Sequence, residues 1–121
     1  MNLGWCDVCL RVRDVSTSRA FYEVLGFWRV EGSDEEGWAV MTNGQQRLGL
    51  FIREFMATEF SLNFRGGDIQ AICTDLATKG IALTSGPKIN EKGGTAGLVD
   101  PDGHAISLDS AVGETMKIDP V

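Results

Sequence analysis

Apolar and polar residues alternate through the opening run Trp5-Cys6-Asp7-Val8-Cys9-Leu10-Arg11-Val12-Arg13, as a strand with one face against a core requires. The pattern then changes. Asp14 is of helix N-cap type, Phe21, Val24 and Leu25 recur at helical spacing, and Gly26 is a suitable stop. Strands are predicted over 27–31, 38–42 and 47–52, the last two joined by the tight-turn pair Asn43-Gly44. Between the first two of these, the Asp34-Glu35-Glu36 cluster reads as a solvated acidic turn.

The same order returns further along. A strand is predicted over 60–64, Asp68 is the next N-cap, and Ile69, Ile72, Cys73, Leu76 and Ala77 form an apolar stripe closed by Gly80. Short strands follow at 81–83, 95–99 and 105–108. A Gly/Pro/Lys-rich loop is expected over 85–94, and the turn Asp100-Pro101-Asp102-Gly103 joins the last two strands. Gly66-Gly67 and Gly93-Gly94 read as loop joints. Asp14 to Gly26 and Asp68 to Gly80 are both steps of twelve residues (26 − 14 and 80 − 68). The fold class is therefore α+β, built from two βαβββ modules. Module one covers about 1–53, a linker 54–59, module two about 60–110, and a loosely held C-terminal tail 111–121. Modules of about 55 residues cannot each cover a sheet face alone, so they should pair.

Composition narrows the function. In 121 residues the chain carries a net charge of -6, which argues against nucleic acid, whose partners need clustered Lys and Arg. No basic, apolar leader and no run of about 20 apolar residues occurs, so a cytoplasmic protein with no membrane partner is expected. Three cysteines do not suggest a disulfide framework. Cys6 and Cys9 have C-x-x-C spacing, but in a strand residues three apart point to opposite faces, which disfavours a redox or zinc pair. His104, the one histidine, follows Asp-Pro-Asp-Gly and suits a turn role better than catalysis. A triad with Ser107 and Asp109 would ask neighbours on one strand to reach each other. No catalytic residue is assigned.

The run Leu10-Arg11-Val12-Arg13-Asp14, with Ser18 and Phe21-Tyr22-Glu23-Val24-Leu25-Gly26-Phe27, resembles the opening of the vicinal oxygen chelate superfamily (glyoxalase/bleomycin resistance protein/dioxygenase). So does the closing Asp100-Pro101-Asp102-Gly103-His104-Ala105-Ile106-Ser107-Leu108. The resemblance implies two βαβββ modules forming a curved mixed sheet around a cleft, usually in a homodimer, sometimes with modules exchanged between chains. It also implies metal ligands on the first and fourth strands of each module. The first-strand ligand, His or Gln, lies seven residues before the capping Asp, which here gives Asp7 and Ser61; the fourth-strand ligand, Glu or His, falls at Gly49 and Ser107. A slip of two residues would bring in Cys9 or Trp5, and Ala105 or Asp109. One carboxylate, two hydroxyls and a glycine make no site for a divalent cation, so neither metal nor cofactor is expected.

Strand alternation leaves a lined face. Asp7, Cys9, Trp38, Phe51, Ser61, Asn63, Ser107 and Asp109 are the candidate ligand-binding residues. Asp7 is expected to present a free carboxylate to a positive ligand group, although Arg11, Arg47 or Arg65 could neutralise it. The three tryptophans could line the cleft or pack in a core or dimer contact. The leading reading is a metal-independent binding protein for an aromatic, cationic small molecule, resembling the drug-sequestering members. The alternative is a glyoxalase-like lyase, isomerase or dioxygenase with an atypical or lost metal site, and a third reading is a scaffold whose cleft its own side chains fill.

Overall fold

A computed structural model describes all residues, Met1–Val121. Its elements run β1 (Gly4–Arg11), α1 (Val15–Val24), β2 (Trp28–Ser33), β3 (Trp38–Thr42), β4 (Arg47–Phe51), β5 (Phe60–Gly66), α2 (Ile69–Thr78), β6 (Ser85–Asn90), β7 (Gly93–Val99) and β8 (Ala105–Ala111). This is βαβββ twice, as the twelve-residue steps predict. The chain divides into two compact units, described separately below. The first is Asp7–Phe60 with Lys117–Val121; the second is Met1–Cys6 with Ser61–Met116.

In the first unit the strand order is β2-β3-β4-β1, with β1 and β4 parallel and the other pairs antiparallel. Asp14 caps α1 by accepting the Thr17 backbone N–H. The expected stripe of Phe21, Val24 and Leu25 faces outward instead, each more than half exposed. Spacing alone does not fix direction. The inward stripe is Val15, Ser18, Arg19 and Tyr22, and its one charge is matched because Arg19 grips Asp34 through Nε at 2.8 Å and Nη2 at 2.6 Å. Asp34 thus ties the acidic turn to the helix rather than only facing water. Strand β2 runs on to Ser33, past its expected end, with a register shift between Arg29 and Glu31. The core holds Val30, Ala39, Met41 and Leu50.

The second unit orders its strands β5-β8-β7-β6, with β5 and β8 parallel. Ile69, Ile72, Cys73 and Leu76 of α2 pack on Ala96 and Leu108, as the stripe predicts, while Ala77 is exposed. Two strand positions are corrected. Residues 81–83 form no strand; the pairing segment is β6, within the expected loop. Its Pro87 hid it, yet proline is tolerated there because β6 is an edge strand with every residue exposed. Gly93 and Gly94 likewise open β7 rather than a loop. A Cβ on Gly93 would lie 2.0 Å from the Ser110 carbonyl oxygen, so only glycine lets these strands approach.

The C-terminal tail is tied down as well. Strand β8 continues to Ala111, and further on Trp28 Nε1 donates to the Ile118 carbonyl at 2.8 Å and the Val121 N–H to the Arg29 carbonyl at 3.0 Å. No helix is long and apolar enough to cross a membrane.

Candidate functional site

Parallel register between β1 and β4 pairs Cys9 with Gly49 and Arg11 with Phe51; antiparallel register pairs Trp38 with Phe51 and Thr42 with Arg47. Alternation therefore gathers Asp7, Cys9, Arg47, Gly49, Phe51, Trp38 and Thr42 on one side of the first sheet, the side away from α1. This helix-free face holds four of the candidate residues. Asp7 and Cys9 are buried, and Trp38 stacks on Phe51 with centroids 6.0 Å apart and planes 8° from parallel.

Asp7 does not present a free carboxylate. Its Oδ1 accepts from Arg47 Nε at 2.6 Å and its Oδ2 from Nη2 at 3.3 Å, and the same Nη2 donates to Glu31 Oε2 at 2.9 Å. The Asp7 and Arg47 side chains are both less than 5% exposed. Such a pair survives burial because each charge finds a partner at hydrogen-bonding distance. Arg47 Nη1 donates to the Lys117 carbonyl. Arg11 and Arg65 go elsewhere: Arg11 donates to the Ala57 carbonyl, Arg65 pairs with Glu114 at 2.8 Å. Arg47 is one of the three arginines named above as able to neutralise Asp7, whereas Glu31 was not foreseen as a member of this group. The sequence did place Arg47 on the right face; Glu31 lies past the register shift in β2, which no spacing rule announces.

The second unit gathers the other four candidates. Asn63 pairs in register with Ser107 and Arg65 with Asp109, on the face away from α2. The Ser61 and Ser107 hydroxyl oxygens are 3.4 Å apart, joining the two positions the resemblance marks for metal ligands. Asn63 Oδ1 is buried without a hydrogen-bond partner. Burial pushes the Asp109 carboxyl above its ordinary value, with nearby Arg65 opposing and Glu114 reinforcing the shift.

The fold family's metal can be tested against these donors. Asp7 is committed to Arg47. A Cβ at Gly49 would lie 2.7 Å from the Phe51 ring and 2.9 Å from Cys9 Sγ, so the space a ligating side chain would need there is filled. Ser61 and Ser107 offer neutral hydroxyls. No three His, Cys, Asp or Glu side chains come together. These residues do not fit a divalent ion.

His104 keeps its turn role. Its Nδ1 lies 2.7 Å from Asp100 Oδ2 and its backbone N–H donates to Asp100 Oδ1, so it is not arranged with Ser107 and Asp109. All three cysteines are free thiols. Trp5 packs its ring against Gly66, where a Cβ would lie 2.4 Å away. A hollow of about 1280 Å³ is on the other side of the first sheet, lined by Leu10, Phe21, Tyr22 and Ile52 with Arg13 and Arg53. It is an open surface groove, not a closed pocket, and none of the candidate residues lines it.

Two βαβββ units define the class of the fold, with Asp, Gly and two Ser at its chelating positions. Residues 3–108 match the model of the Glyoxalase/Bleomycin resistance protein/Dioxygenase superfamily, and the chain belongs to that superfamily. Its structure is similar to a Legionella pneumophila protein described as an NAD-dependent benzaldehyde dehydrogenase, with TM-score 0.73, 23% identity, and coverage of 88% of this chain and 99% of that one. A superfamily member from Vibrio splendidus 12B01 gives TM-score 0.63 at 20% identity, covering 88% and 97%. These likenesses establish the fold alone. A bleomycin-binding protein solved with bleomycin is 32% identical over 84% of this chain and 93% of its own, with a TM-score of only 0.36. No protein of curated function matches by sequence.

Proposed function

We propose that the protein binds a small organic molecule on the helix-free face of the first unit, and does so without a divalent metal. The observation that carries this reading is the half-buried Trp38–Phe51 stack, on the same sheet face as the Asp7–Arg47 pair and four positions along β4 from it. An aromatic platform sharing a face with fixed polar groups is what holds a flat organic ligand. Asp7 and Glu31 against Arg47 leave one negative charge, offset by the largely exposed Lys117 ammonium 3.9 Å from Glu31. An exposed partner of this kind can give way to a cationic ligand. The expectation of a cationic ligand thus moves from Asp7, which a buried guanidinium holds, to Glu31, whose second partner Lys117 is largely exposed. Titration followed by tryptophan fluorescence, using matched cationic, neutral and anionic aromatics, tests it. Cationic aromatics should bind best, with Phe51→Leu weakening them by about fivefold to tenfold, the value of one aromatic contact. Equal binding of all three classes, or no effect of Phe51→Leu, would refute it.

A second reading rests on a different residue. Asp109 sits half-buried on the helix-free face of the second unit, level with Arg65, and burial raises its carboxyl from the ordinary value, a setting suited to a general acid or base of a lyase or isomerase. An Asp109→Asn variant that keeps any lyase or isomerase turnover detected would dismiss it.

A further inference from the structure

Residues Lys117–Val121 lie on the same face of the first unit as the proposed site, and the way they are held is specific. Two consecutive backbone carbonyls are taken by side-chain donors from two different strands. Arg47 of β4 donates to the Lys117 carbonyl, and Trp28 of β2 donates to the Ile118 carbonyl at 2.8 Å. The Lys117 ammonium stands 3.9 Å from Glu31 Oε1. The segment contributes no buried side chain of its own; Ile118 and Val121 are half or more exposed. Backbone acceptors and one cation are held here, while the apolar side chains are not used.

We infer that this segment is a built-in surrogate for the ligand, and that the molecule it excludes is a cationic amide, with carbonyl acceptors for Arg47 and Trp28 and a positive group for Glu31. The inference rests on the binding reading above. Charge selects the acceptor. Arg47 is already matched by Asp7 and Glu31, so a carboxylate arriving at Nη1 would meet two others, whereas a neutral carbonyl meets no such opposition. The Lys117 ammonium stands against Glu31 at the rim, where another cation can take its place. Because side-chain packing does not fix the segment, a ligand that reproduces its polar contacts can displace it. While it stays in place, apparent affinity falls by the fraction of molecules left open.

The test compares the 121-residue chain with its Lys117→Glu variant. That substitution sets like charges together at Glu31 and loosens the segment, leaving Asp7, Arg47, Glu31 and Trp28 intact. The probes are Nα-acetyl-lysine N-methylamide and, as the anionic counterpart, Nα-acetyl-glutamate N-methylamide. Calorimetry gives affinity, and NMR follows the Trp28 indole and Val121 amide protons. The lysine probe should bind Lys117→Glu about tenfold more tightly, the gain expected if the segment covers the site in about nine of ten natural molecules. The glutamate probe should bind neither. In the natural chain, saturation with the lysine probe should speed Val121 amide exchange, a readout that needs no variant. Equal affinity in both chains, or a Val121 amide still protected with the probe bound, overturns the surrogate role and leaves ligand binding standing. No binding of either probe to either chain, with the Val121 amide released in Lys117→Glu, overturns the cationic-amide inference, while the aromatic titration above decides the binding reading separately.

Discussion

Asp109 and Asp34 are aspartates with opposite pH signatures. Burial raises the Asp109 carboxyl above its ordinary value, so its contribution to stability is fully present below that value and is lost as pH rises through the folded one. Asp34 runs the other way: its hydrogen bonds from Arg19 lower it, and its contribution is present above the ordinary value and lost as pH falls through the folded one. Asp109→Asn should therefore raise the thermal midpoint at pH 7, and the gain should shrink to nothing as pH drops below the ordinary carboxylate range. A midpoint that falls at pH 7 would mean the charged form is the one the fold favours. Residue identity made the candidates readable, but ionisation was not. Period-two counting puts Asp7 and Asp109 on helix-free faces equally well, and only the partners, Arg47 for one and a half-buried setting for the other, separate their chemistry.

Asp7 on β1, Arg47 on β4 and Glu31 on β2 form a tie across three elements under the Lys117–Val121 segment. Arg47→Met would leave two carboxylates without their cation, one of them fully buried, at a cost of about 3–5 kcal/mol. Urea unfolding measures it. A loss under about 1 kcal/mol would show that water reaches Asp7 and replaces the guanidinium. The elements themselves were legible wherever a local signal marked them: Asp14 and Asp68 cap helices that begin one residue later, and Trp38–Thr42 is the strand its alternation describes. The failures share a cause. Strand β6 is stabilised by pairing with β7 from an exposed, proline-bearing edge, and the tail by donors from β2 and β4; neither is a property of the segment's own sequence. The outward stripe of α1 failed for a related reason, because a helix of ten residues leaves its rotation to what it packs on.

At the scale of the molecule, that outward stripe becomes informative. Phe21, Val24 and Leu25 place adjacent apolar side chains in water along α1, a cluster that a second copy of the chain would cover. The expected homodimer should sediment at about twice 13.1 kDa at micromolar concentration, and Val24→Glu should shift it toward the monomer. A single species at 13.1 kDa would exclude self-association as the use of this surface. The buried thiols have another consequence, a kinetic one. Cys9 lies inside the first unit and Cys73 inside the second, where burial also raises its thiol, so neither reacts until its own unit opens. Cys6, only partly buried, reacts without that delay. Timed alkylation read by peptide mass would thus clock the breathing of each half of the chain separately, with no label added and the first half's clock slowed by whatever ligand holds it shut.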